Sequence, residues 1–256
     1  MRQDLVAAFA LKRNSQDGIN MKVRVKFRKF GPVRFIGHLD VMRFFQKCIR
    51  RAELDIAYSQ GFSPHQIMSF AAPLGVGLTS DGEYMDIELN TVTTSADMMQ
   101  RLNDASVYGI EVVSVKELPE GAGNAMASVA AAGYTVTFRE DRAPDFDYRE
   151  AFERLMKQES ILIHKETKKS TLEIDLKPGI YELSVKEDGS IYMLVDASSS
   201  GNIKPIQIIE ALYEANGASL PENAILIHRE DTYTNVAKKN KRRRLVPLDA
   251  IGTDIE

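Results

Sequence analysis

From residue 22 to residue 28 the chain alternates without a break. Lys22, Arg24, Lys26 and Arg28 share one parity, and Val23, Val25 and Phe27 the other. Period-two alternation predicts a half-buried strand over residues 21–30. The period changes at residue 38. Val41, Phe44, Phe45, Cys48, Ile49 and Ala52 recur at helical spacing, which predicts an amphipathic helix over 38–52. Its polar side carries Arg43, Lys47, Arg50 and Arg51. Residues 58–78 are irregular, punctuated by Gly61, Pro64, Pro73, Gly75 and Gly77, with one extended stretch over 66–70. Tyr84, Met85, Ile87 and Leu89 among acids predict a strand over 83–89. Ser95 caps a predicted helix running to Leu102, and residues 110–115 form another strand.

This order is β-α-β-β-α-β, that of a ferredoxin-like unit. Residues 121–132 are rich in small side chains and suit a linker. The same plan follows again: a strand over 134–138, then a helix over 147–158 with Phe152, Leu155 and Met156 inward. Strands come around 172–176, 180–186 and 191–196, the last two joined at Asp188-Gly189. Pro205 opens a helix to Ala215, and a strand over 224–228 closes the set. The repeat lies in element order, not in residue identity. The expected fold is therefore α+β, with tandem ferredoxin-like (βαββαβ) domains and antiparallel sheets. The division is a flexible N-terminal extension (1–20), a first domain (21–120), a linker (121–133), a second domain (134–233) and a basic flexible tail (234–256).

A length of 256 residues suits two domains. The net charge of −3 gives no global reason to expect nucleic acid. Its distribution does: residues 21–60 hold ten Lys and Arg against three acids, which suggests an anionic partner for that segment. The single cysteine, Cys48, excludes an intrachain disulfide and any iron–sulfur cluster or Cys-rich zinc site built from this chain alone. A reducing cytoplasm is the expected compartment. No apolar run approaches the ~20 residues that span a bilayer, so no membrane association is expected.

The block from Arg34 to His65 concentrates the candidate chemistry. His38 and Asp40 fall at a predicted helix start, just after Gly37, which is expected to turn the chain out of the strand. Helix starts collect free N–H groups and favour anions, and Arg34 and Arg43 flank this one. The stretch Tyr58-Ser59-Gln60-Gly61-Phe62-Ser63-Pro64-His65 is a polar loop in which Tyr58 and Phe62 offer stacking surfaces. Gln60, Gly61 and Ser63 would shape it around a ligand. The plainer reading makes Asp40 a local first-turn charge and the loop a connector. Lys26 and Arg28 would follow a phosphate backbone, or simply face water. Pro73–Leu78 fits neither the dinucleotide nor the phosphate-loop pattern and reads as a bend beside a sheet. Lys238–Arg244 reads as a solubilising tail. The four histidines show no close pairing, so no metal site is expected, and no serine stands out as a nucleophile.

The run Val33-Arg-Phe-Ile-Gly-His-Leu-Asp-Val-Met-Arg43, with Ala57-Tyr-Ser-Gln-Gly-Phe-Ser-Pro-His65 and Ser69-Phe-Ala, resembles a bacterial family of uncharacterised proteins known as radical SAM-linked or radical SAM-associated. The likeness is specific over 33–65 and looser across 21–230. It implies a radical SAM enzyme as a partner in trans. It implies no cofactor on this chain, which lacks the three cysteines of the radical SAM cluster. A weaker likeness, of architecture only, is to CRISPR repeat-processing endoribonucleases.

The leading expectation is an accessory protein of a radical SAM enzyme that binds RNA (tRNA or rRNA) or presents substrate. Lys26, Arg28, Arg34 and Arg43 would hold phosphates, and Tyr58 and Phe62 would stack bases. Two rivals stand beside it. One is an RNA-processing enzyme in which His38 or His65, beside Asp40, is general acid or base. The other is a module that binds only protein.

Overall fold

The computed structural model describes residues 20–166, 171–238 and 241–256. The expected extension, residues 1–20, falls almost wholly outside them. The chain divides into two units. The first comprises residues 20–73, 83–126 and 248–256, and the second residues 74–82 and 127–247. Both mix helices and strands, and the strand pairing is mixed rather than wholly antiparallel.

The first unit opens with β1 (Met21–Lys29), a 3-10 turn (Gly31–Phe35) and α1 (His38–Arg51). There follow β2 (Met68–Phe70), β3 (Thr79–Leu89, whose residues 79–82 belong to the second unit), α2 (Ser95–Asp104) and β4 (Ile110–Glu117). β4 and β3 flank β1, and β2 lies against β3. β1 is antiparallel to β4, with a register shift between Lys26 and Phe27, and β2 is antiparallel to β3. The predicted apolar face of β1 is buried: Val23, Val25 and Phe27 share one core with Val41, Phe45, Cys48 and Ile49 of α1 and Met98 and Leu102 of α2. Burial pushes the Cys48 thiol up, against the opposing pull of Arg51. A thiol-specific reagent is therefore expected to leave Cys48 unlabelled in the folded protein and to label it fully in denaturant. Fast labelling of the native chain would contradict this core.

The other face of β1 is not the solvated basic face that the alternation predicts. Arg24 is 0% exposed. Its Nε and Nη2 donate to the two carboxylate oxygens of Asp86 at 2.7 and 3.0 Å, and its Nη1 donates to the Leu248 carbonyl at 2.9 Å. The Tyr84 hydroxyl donates to Asp249 at 3.2 Å. The segment holding Leu248, expected as tail, thus closes over this face. It continues to α2, where Ser95 and Ile255 exchange bonds of 2.9 Å. That engagement corrects the predicted cap. Thr94, one residue earlier, accepts from the Asp97 N–H, leaving Ser95 to the incoming segment.

Residues 121–133, expected as a linker, contain the single turn α3 (Ala125–Ser128) and the start of β5 (Ala131–Phe138). The second unit continues with α4 (Tyr148–Lys157), β6 (Leu162–Glu166), β7 (Thr171–Asp175), β8 (Ile180–Val185), β9 (Ile191–Asp196), α5 (Pro205–Ala215), β10 (Ile225–Asn235) and β11 (Leu245–Pro247). The main order is β10-β5-β9-β8, and β11 lies on β10. Thr79 and Ser80 of β3 pair in parallel with His228 and Arg229 of β10, where antiparallel pairing alone was expected. β6 and β7 form a separate two-stranded ribbon, so the strand predicted near 172–176 stands apart from the main sheet. The expected tail begins inside β10 and later supplies β11. Asp147 starts α4 by accepting from the Arg149 and Glu150 N–H groups, and the core gathers Phe152, Leu155, Met193, Val195, Ile208 and Leu212.

Candidate functional site

Two pieces of the first unit carry the predicted site, and the fold joins them at their bases. The first is the start of α1. Gly37 is extended (φ −77°, ψ 167°) and does not make the reversal expected of it. The 31–35 turn does, entered through Gly31 at φ +56°. Gly109 packs beneath that turn at φ +102°, and a Cβ there would stand 2.7 Å from the Phe30 carbonyl. Lys29, buried, donates from Nζ to the Ile36 carbonyl at 3.0 Å and holds the turn against the strand.

His38 then begins the helix, half-buried, with its ring edge-on to Phe70 of β2 at 5.1 Å. Asp40 is exposed and pairs with Arg43, one turn on, at 3.2 Å. Arg34 lies over the ring of Phe35 at 4.7 Å. Phe35 and Leu39 are both exposed, and beyond them Arg43, Lys47, Arg50 and Arg51 form the outer side of the helix. Arg50 and Arg51 turn to main-chain carbonyls, of Gln46 at 3.1 Å and of Ala105 at 2.7 Å.

The second piece is the loop from Tyr58 to Gln66, two residues that form an isolated antiparallel bridge. Inside that bridge sits a clasp. The Ser59 N–H donates to the His65 carbonyl at 2.8 Å, the His65 N–H donates to Ser59 Oγ at 3.1 Å, and His65 Nδ1 lies 2.8 Å from the same Oγ. Ser59 is the residue that sequence reasoning missed. Its only signal was position, mirroring His65 across the Gly61–Pro64 turn. Gly61 (φ +112°) makes the bend. Gln60, Ser63 and Tyr58 are on the surface, and Phe62 at the tip is fully exposed. The loop base is tied to α1, because Gln66 Nε2 donates to the Gln46 carbonyl at 3.2 Å.

The two histidines are separately engaged: His38 packs on Phe70, while the polar contacts of His65 stay within its loop. Lys26 and Arg28 lie elsewhere, on β1. Lys26 is half-buried over the Tyr84 ring, and Arg28 pairs with Glu111 at 3.2 Å. Among the described residues, no three His, Cys, Asp or Glu side chains gather so as to hold a metal ion, and no helix is long and apolar enough to cross a membrane. The depression between the C-terminal ends of α1 and α2 holds about 620 Å³ and is lined by Arg51, Glu53, Arg101 and Asp104. The assembled surface offers exposed aromatic rings and guanidinium groups.

A protein-family model described as "Uncharacterized protein conserved in bacteria (DUF2344)" matches residues 22–205. No curated protein matches the chain.

Proposed function

The chain belongs to this uncharacterised bacterial family, and we propose that it is an accessory protein that binds RNA on behalf of a radical SAM enzyme. The observation that carries this reading is the constrained exposure of Phe62. A fully exposed phenylalanine forgoes about 1.5–3 kcal/mol of burial. Here it is displayed on a loop clasped by Ser59 and His65 and tied to a helix. Base stacking uses such a ring directly, and Arg43 and Lys47 on the outer side of that helix supply charge for phosphates. Arg34 on the exposed Phe35 ring adds a second planar stack of the same kind.

On this reading the chain is a tandem of ferredoxin-like domains. The pairing β4-β1-β3-β2 of the first unit and β10-β5-β9-β8 of the second follow one rule of connection. Sheets of this kind often serve nucleic-acid modules. The radical SAM partner comes from the resemblance of residues 33–65. The rival histidine chemistry is less well supported, because Asp40 pairs with Arg43 while His38 packs on Phe70 and His65 Nδ1 is held by Ser59 within its own loop.

The test is a titration of the full chain with bulk tRNA across a range of salt. Binding that weakens steeply with salt is expected. Absence of binding at low salt would remove the proposal. Co-purification of the partner enzyme, unaffected by ribonuclease and free of RNA, would replace it with a purely protein-binding role.

A further inference from the structure

Residues 236–244 connect β10 to β11, and from Lys238 to Arg244 all but Asn240 are Lys or Arg. Among the described residues this segment is fastened rather than free. At its base Tyr233, Thr234 and Asn235 pair with Pro247, Val246 and Leu245. The Val236 N–H donates to the Arg244 carbonyl at 2.9 Å. Asn235 Oδ1 accepts from the Ala237 and Arg244 N–H groups at 3.1 and 3.0 Å. Farther out, the Arg243 guanidinium lies 3.6 Å from the Tyr181 ring centroid. The Tyr181 hydroxyl bonds to Asp196, whose charge also attracts Arg243. Lys241, Arg242 and Arg244 are left exposed on this scaffold.

Charge that serves solubility alone needs no fixed geometry, and crowding like charges is unfavourable without a counter-charge. Basic side chains carried on backbone that is already hydrogen-bonded have lost part of the freedom that binding would otherwise take from them. We infer that the 236–244 hairpin is a second RNA contact, with Lys241, Arg242 and Arg244 gripping the phosphodiester backbone. The inference rests on the RNA-binding reading above. Guanidinium groups match phosphate oxygens in pairs, which favours a phosphodiester. A membrane contact would call for apolar side chains among the basic ones, and residues 238–244 have none.

The experiment compares the full chain with a Lys241→Ala, Arg242→Ala, Arg244→Ala variant in the tRNA titration. Arg243 is kept because it anchors the loop. The slope of log affinity against log salt is expected to fall by about two, at ~0.7 per lost contact on single strands. The melting temperature should not change, since all three side chains are exposed. An unchanged slope in a chain that binds tRNA overturns the inference and leaves the first-unit surface intact. A wild-type chain that does not bind overturns both. An unchanged slope with loss of a protein partner assigns the hairpin to an acidic protein and also overturns it.

Discussion

Replacing Arg24 with methionine should lower folding stability by about 3–5 kcal/mol, the cost of stranding the partner of a buried ion pair. Asp86, 3% exposed, would lose both guanidinium bonds, and the Leu248 carbonyl would lose its donor. Urea unfolding followed by circular dichroism measures the loss. A second variant separates the charge from the packing. Arg24→Met combined with Asp86→Leu removes both charges and should recover much of the stability, because apolar replacement of a whole buried pair is often neutral or better. A single variant that loses under ~1 kcal/mol would show that Asp86 finds water or another donor.

Phe62→Ala should weaken RNA binding about five- to 150-fold, as expected for removing one stacked base at roughly 1–3 kcal/mol. The ring touches solvent only, so thermal unfolding should be unaltered. The salt slope should also be unaltered, because no charge is removed. Phe62→Tyr should keep most of the affinity. Equal affinity for wild type and Phe62→Ala would sink the stacking role. Loss of a co-purifying enzyme instead would reassign the ring to a protein interface, where aromatic anchors dominate binding energy.

The helix α1 was legible because its burial follows local spacing. Val41, Phe45, Cys48 and Ile49 are all buried, and periodicity alone locates them. β1 was legible in the same way, yet the fate of Arg24 was not. Its carboxylate partner lies 62 residues away and its carbonyl partner 224 residues away, beyond any window of sequence. The basic run near residue 240 suggested a tail because charge dominates such stretches. Leu248 just beyond it is fully buried, but the apolar residues there, Leu245, Val246, Leu248 and Ile251, are too few and too irregularly spaced to show a period. Gly37 looked like the turning point because glycine usually marks one. The reversal fell to Gly31, where a positive φ actually occurs. The two pieces of the candidate site were legible as pieces. Their joining through Phe70 and Gln46 was not, since it depends on how β2 lies beside α1.

The capping of Arg24 by Leu248 also sets a clock. The two residues are 224 positions apart, so at ~5–20 residues per second roughly 10–45 s of synthesis separates them on the ribosome. The residues of the second unit, 127–247, are made entirely within that interval. Once residue 104 has been made, the first unit has its helices and its Asp86 partner but still lacks Leu248, the Ser95–Ile255 exchange and the Glu117–Thr253 bridge. Its strand face stays wet until residues 248–256 emerge. The unit whose translation begins first is therefore the one completed last.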